Sequence, residues 1–143
     1  MTRHVMAAPA LVLCCVDYRY IRAIQAFVAS RFGIRRYNVK TDAGGTRALV
    51  TGPRAVRAWI LRNLQLAYER QGARRAFLFH HQDCLLYGGS QAFAGPRQEA
   101  STHARHLAQA ARLLRARFEG LHVRAFYAYR TRGTVRFKTV LIR

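Results

Sequence analysis

Short apolar runs alternate with amphipathic stretches along nearly the whole chain, and no other feature narrows the fold as far. Residues 10–16 form a continuous apolar run, short enough for a buried strand. From about Tyr20 to Arg31, Ile21, Ile24, Phe27 and Val28 recur at helical spacing, and Gly33 ends the pattern. Ile34 to Lys40 alternates as a second strand and runs into the polar turn Thr41–Gly45. Pro53 opens a second helix, whose face carries Val56, Trp59, Ile60, Leu64 and Ala67 up to Gly72. Arg75 to His80 is a third strand, followed by a loop punctuated by Gly88, Gly89, Gly95 and Pro96. A third helix, Pro96 to Phe118, buries Leu107, Ala111, Leu114 and Phe118. His122–Tyr129 and Thr134–Ile142 are two final strands, joined by the turn Arg130–Gly133.

This β-α-β-α-β-α-β-β order predicts an α/β fold. Right-handed crossovers give a parallel sheet of order 2-1-3-4 flanked by helices, and the short last connection adds an antiparallel edge strand. A length of 143 residues fits one domain, 1–143. Arg3 and His4 precede the apolar stretch Val5–Val16, but Pro9 interrupts it and no small-x-small cleavage site follows. A first strand close to the N-terminus is therefore expected rather than a secretory leader. No apolar run approaches the ~20 residues of a membrane span, so no membrane partner is expected. Three cysteines, two of them adjacent, make no disulfide framework and suit a reducing cytoplasm and a thiol or metal role.

Open α/β sheets bind ligands beyond the carboxyl ends of their strands, where strand order reverses. The chain has only six acidic residues against 25 Lys and Arg, a net charge of +19. Yet its three aspartates, Asp17, Asp42 and Asp83, follow strands 1, 2 and 3 in turn. Cys15, Asp17 and Arg19 are spaced by two, so extended chain puts them on one face, with Cys14 and Val16 packed on the other. His81 and Cys84, spaced H-x-x-C after strand 3, can turn an imidazole and a thiolate onto one ion. With Cys15 they would form a Cys₂His set, which suits tetrahedral zinc with one position open. On spacing alone, His81 and Cys84 read equally well as loop residues that hold no metal.

Three short motifs in order shift that balance. Cys15-Val-Asp17-Tyr-Arg19, then Asp42-Ala-Gly44-Gly45, then His81-Gln-Asp-Cys84 resemble the β-class carbonic anhydrases. The resemblance runs through most of the chain. It implies a zinc ion held by Cys15, His81 and Cys84, a catalytic dyad of Asp17 and Arg19, and a substrate loop at Asp42, Gly44 and Gly45. It also implies a homodimer or higher homo-oligomer. The chain departs from the family pattern at four places. Strand 1 starts too early for the family's N-terminal helical arm. Asp42 replaces an Asn, Leu85 and Leu86 follow the second cysteine where Gly is common, and His80 replaces a Gly before the ligand histidine.

The chemistry implied is reversible hydration of CO₂ to bicarbonate by a zinc-bound hydroxide. Two thiolates neutralise Zn²⁺ and leave it a weaker acid, so the nucleophile needs a second-shell acceptor. Asp17 can be that acceptor, and Arg19 can hold it ionised. Hydrolysis of COS or CS₂ at the same site is a second reading. The third is a catalytically idle zinc domain whose basic surface binds nucleic acid or an acidic protein. His80 is expected to pack at the strand end and Asp83 to cap the loop. His103 and His106 share a helix face with no acid or thiol nearby in sequence, so no second metal site is expected there. Tyr127, Tyr129 and Phe137 interleave with Arg124, Arg130, Arg132 and Arg136, which suggests core on one strand face and charge on the other rather than a base-stacking surface.

Overall fold

The computed structural model describes residues 7–143; Arg3, His4 and Val5, and with them the leader and arm readings, lie outside the described residues. Five strands form one sheet of order β2-β1-β3-β4-β5. In chain order they are β1 (Ala10–Cys14), β2 (Tyr37–Thr41), β3 (Arg75–His81), β4 (His122–Thr131) and β5 (Thr134–Val140). The helices are α1 (Tyr18–Phe32), α2 (Arg47–Thr51), α3 (Arg54–Arg70) and α4 (Pro96–Arg117). β1 pairs in parallel with both β2 and β3, and β3 with β4, while β4 and β5 run antiparallel. The α/β sheet with its antiparallel edge is the one the alternation predicts. Arg132 and Gly133 close the hairpin, both with positive φ (51° and 79°), the handedness that matches the strand twist.

Each sheet face carries its own apolar cluster, because side chains alternate along the strands. Leu11, Leu13, Ala76 and Leu78 meet α2, α3 and α4 through Leu49, Leu64, Leu107 and Leu114. Val12, Cys14, Phe77 and Phe79 meet α1 through Tyr20, Ile24 and Val28. Cys14 is thus a packing residue, its thiol pushed up to about 11 by burial and then by the neighbouring Cys15. Phe137 stacks on Phe27 at 4.2 Å on the α1 side, and the Arg124 guanidinium lies over Phe32 at 5.2 Å. Tyr127 and Tyr129 pack with the other cluster, so the aromatic-basic alternation is split between two faces.

Several local expectations need correction. The α3 stripe that reaches the core runs Ile60, Leu61, Leu64, Ala67 and Tyr68, which turns Trp59 outward to 66% exposure. Val56 shares the meridian of Ile60 but lies one turn before that stripe begins and is also exposed. The sequence pattern missed α2, a single buried Leu49 on a five-residue helix, too short for periodicity to register. β1 stops at Cys14, and Val16, expected to pack, is 54% exposed. Among the described residues no helix is long and apolar enough to cross a membrane, and Cys14, Cys15 and Cys84 are all free thiols.

Candidate metal centre

The ends of β1 and β3 are neighbours in the sheet, and each releases its chain into a tight turn just where polar groups begin. Beyond β1 the chain bends at Val16, and Asp17, still extended, leads into α1 at Tyr18. Asp17 is the N-cap of α1, accepting from the Arg19 amide at 3.0 Å. The C-x-D-x-R spacing therefore works through a helix cap rather than a shared strand face. With Arg19 in the first turn, its guanidinium folds back on the cap residue. Its Nε donates to Asp17 Oδ1 at 3.0 Å and its Nη2 to Asp17 Oδ2 at 2.7 Å. The Arg19 hydrogen bonds hold the Asp17 carboxyl below the usual carboxylate range, and Arg19 is raised in turn.

Beyond β3, Asp83 adopts a left-handed conformation (φ 62°) that turns the loop sharply. Its Oδ1 accepts from the Ser90 amide at 2.9 Å, the loop cap expected of it. Its Oδ2 and its carbonyl also accept from Arg19, at 3.0 and 2.9 Å. Arg19 is thus clamped between two aspartates from two different strand ends. Behind Asp83 stands Glu99, only 1% exposed in the first turn of α4. It accepts from the Asp83 amide at 2.7 Å and from the Ser90 hydroxyl at 2.9 Å. Sequence reasoning passed over Glu99, although in a chain with six acidic residues the scarcity that drew attention to Asp17 applied equally to it.

The loops bring Cys15, His81 and Cys84 together, all buried, with one ligand atom of each within 4.8 Å of the others. His81 Nδ1 donates to the Gln82 carbonyl at 2.8 Å, which fixes the tautomer and leaves Nε2 as a bare lone pair. That nitrogen is buried and has no hydrogen-bond partner among the described residues; Asp17 Oδ2 lies 3.9 Å from it. The ring is held flat by Tyr20, stacked at 4.3 Å, whose hydroxyl donates to the same Gln82 carbonyl. Backbone amides supply the thiols: Gly44 N–H reaches Cys15 Sγ at 3.4 Å, and the Leu86 and Tyr87 amides reach Cys84. The Cys84 thiol donates to Cys15, which lowers Cys15 and raises Cys84, so the pair favours one thiolate. An oriented imidazole lone pair with no partner beside two amide-solvated sulfurs is a donor set that could hold a soft divalent ion.

The remaining sequence candidates lie around this group. Gly44 has a left-handed φ of 80° that strains any side chain, and a Cβ there would fall 2.4 Å from Leu86 Cδ2 and push that side chain aside. Leu86, one of the two leucines that depart from the family pattern, therefore packs directly on the turn that contacts Cys15. A Cβ on Gly45 would sit 2.7 Å from the Phe79 carbonyl. Asp42 turns its carboxylate to Lys40 Nζ at 2.9 Å. His80 faces the other side of the sheet, where Nε2 accepts from the Thr46 amide at 3.1 Å and Nδ1 meets His103 Nδ1 at 3.0 Å. His103 and His106 do not join a metal-competent group among the described residues. His106 instead pairs with the Tyr87 hydroxyl at 2.7 Å.

A mostly parallel α/β sheet with a Cys-His-Cys group at its switch point defines the class of protein to compare. The fold is that of the β-carbonic anhydrases. A carbonic anhydrase from Streptococcus mutans superposes with a TM-score of 0.60 at 16% identity, covering 95% of this chain and 84% of that one. One of two tetrameric β-carbonic anhydrases from Sordaria macrospora gives 0.61 at 12% identity, covering 92% and 80%. The apo form of a carbon disulfide hydrolase gives 0.55 at 14% identity, covering 94% and 81%. Residues 6–138 match the family model described as "Putative carbonic anhydrase", and the chain belongs to that family. No curated protein matches the sequence.

Proposed function

We propose that the chain is a zinc enzyme that hydrates CO₂ reversibly to bicarbonate and a proton. The observation that carries this reading is the convergence of Cys15, His81 and Cys84 beside an ionised Asp17 gripped by Arg19. Cys15 Sγ, Cys84 Sγ and His81 Nε2 would hold the zinc. When bound, the ion would act as a Lewis acid that makes water a competent nucleophile near neutral pH. Asp17, kept as a carboxylate, can only accept hydrogen bonds, so it takes the proton-bearing side of the attacking water and leaves a lone pair for the carbon. Arg19 acts through Asp17: it fixes the carboxylate's orientation and disfavours its protonation. Tyr20 and the Gln82 carbonyl hold the imidazole in the tautomer that ligation requires.

Two findings favour a second substrate class at the same site, the linear sulfur analogues COS and CS₂. The fold is shared with a carbon disulfide hydrolase, and Val16, Tyr18 and Leu85, beside the ligand cysteines, expose apolar surface. The same exposed side chains suit a homo-oligomer that covers the mouth of the site, as the tetrameric relatives suggest. The three free thiols suit a cytoplasmic protein.

The test is stopped-flow hydration of CO₂, with COS and CS₂ in parallel, on protein of measured metal content and on Cys84→Ser. One zinc per chain with turnover lost in the variant is the expected result. Stoichiometric zinc with no turnover on any of the three substrates overturns the enzymatic reading. It would leave a zinc domain whose +19 charge serves an acidic partner.

A further inference from the structure

A broad groove on the far side of α4 touches none of the metal-competent residues. It holds about 860 Å³ between α4 and the β4–β5 hairpin, within the ~300–1,000 Å³ typical of small-molecule sites. Its floor is made by Ala100, Ala104 and Ala108, one from each successive turn of α4, whose small side chains leave the space open. Tyr127 and Tyr129, stacked at an interplanar angle of 19°, form a wall from β4. Arg97, Arg105 and Lys138 also line it, all three exposed, and none makes an ion pair among the described residues. No Asp or Glu lines the groove.

We propose that this groove binds an amphipathic organic anion, its apolar body on the alanine floor and tyrosine wall and its acid group among Arg97, Arg105 and Lys138. Charge decides between occupants. A second copy of the chain seated symmetrically would bring three unpaired cations against three more, with no acid to separate them. A nucleic-acid strand needs a track of cations along its backbone. Here the cations flank an apolar trough, and Arg124 and Phe137 of the same hairpin belong to the opposite sheet face. A small ligand with one acid group and an apolar skeleton satisfies both halves of the lining.

The test uses 1-anilinonaphthalene-8-sulfonate as the anionic probe and N-phenyl-1-naphthylamine as its uncharged counterpart, in fluorescence titrations of the full chain at physiological salt. Saturable binding of one sulfonate per chain in the micromolar range is expected. Ala104→Trp, which fills the trough, should weaken it at least about tenfold, as should Arg105→Glu with Lys138→Glu, and the uncharged probe should bind about tenfold more weakly. Because Gln82 borders both the groove and His81, zinc content is measured alongside. It should be unaffected by the groove variants, and Cys84→Ser should bind the probe as the unmodified chain does. If Ala104→Trp fails to fold, as judged by circular dichroism, the charge-reversal pair decides, since both residues lie at the surface. Equal affinity for the two probes, or affinity indifferent to the groove substitutions, overturns the proposal. So does a dimer, seen by light scattering, that Ala104→Trp or the charge-reversal pair dissociates, since it would make a second copy the occupant.

Discussion

His80 and His81 are adjacent at the end of β3, equally buried, and point to opposite faces of the sheet. On the α4 side, His80 has both ring nitrogens engaged, Nε2 by Thr46 and Nδ1 by His103. Burial, followed by its histidine neighbours, holds it neutral. On the α1 side, His81 has one nitrogen tied to a carbonyl and the other left bare among two thiols and a carboxylate. The same side chain, one position apart, is closed by its neighbours in one place and left with a free valence in the other. Burial alone therefore says nothing of function. What distinguishes the two sites is which donor remains unspent and what surrounds it.

The contrast breaks most directly at His81. His81→Ala should weaken zinc binding by more than the roughly 10–100-fold that supporting residues cost, and reduce CO₂ hydration to background. Metal titration against a competing chelator measures the first and stopped-flow the second. An unchanged zinc affinity would show that the bare nitrogen is not a ligand.

A smaller effect is expected from the clamp on Asp17. Arg19→Gln removes the paired hydrogen bonds and frees both Asp17 and Asp83. Turnover should fall about 100-fold, in the range for a misplaced positioning group, while zinc stoichiometry holds. The loss should be steeper on the acid side of the pH profile. Asp17, no longer held below its ordinary range, would take up a proton at higher pH than in the unmodified chain.

His80→Leu sharpens the comparison from the other side. It leaves the Thr46 amide and hydroxyl buried without their acceptor. About 1–3 kcal/mol of stability should be lost in denaturant titration, with zinc content and turnover per bound zinc unchanged. A loss of zinc comparable to that of His81→Ala would mean that the two faces are not independent.

How far these differences were legible depends on the range of the physics involved. Strand alternation is local, so the separation of Cys14 from the site, and of β1 and β3 as the strands that carry it, could be read from residue order. The convergence of Cys15 with His81 and Cys84 was legible only as a motif, because it depends on the two turns as well as on the pairing of β1 with β3. The route by which Arg19 reaches Asp17 was misread, since spacing by two suggests a strand and the chain uses a helix cap. The second grip on Arg19, from Asp83, and the support from Glu99 join residues 64 and 16 positions apart, and no local pattern announces them. Trp59 shows the converse error: it fits the helical period, but the sheet meets α3 along a stripe that excludes it.

The finest distinction between the two faces is in their response to acid. Burial pushes His103 down to about 3, and His80 moves the same way. Both are depressed relative to an unfolded-state value near 6.5, so between the two values the unfolded chain binds more protons than the folded one. Stability should be full above about pH 6.5 and fall as the pH drops from there toward 3, by up to about 1.4 kcal/mol per pH unit for each histidine so held. His103→Phe removes one of these titrations. Tyr87, whose hydroxyl lies 3.5 Å from His80 Nδ1, remains to accept from it. The variant should be less stable at pH 7 yet lose less on acidification, with the slope of unfolding free energy between pH 6 and 4 reduced by about one proton's worth. Parallel slopes for the two proteins would mean that His103 is protonated in the folded state, and that the α4 face is wetter than its packing implies.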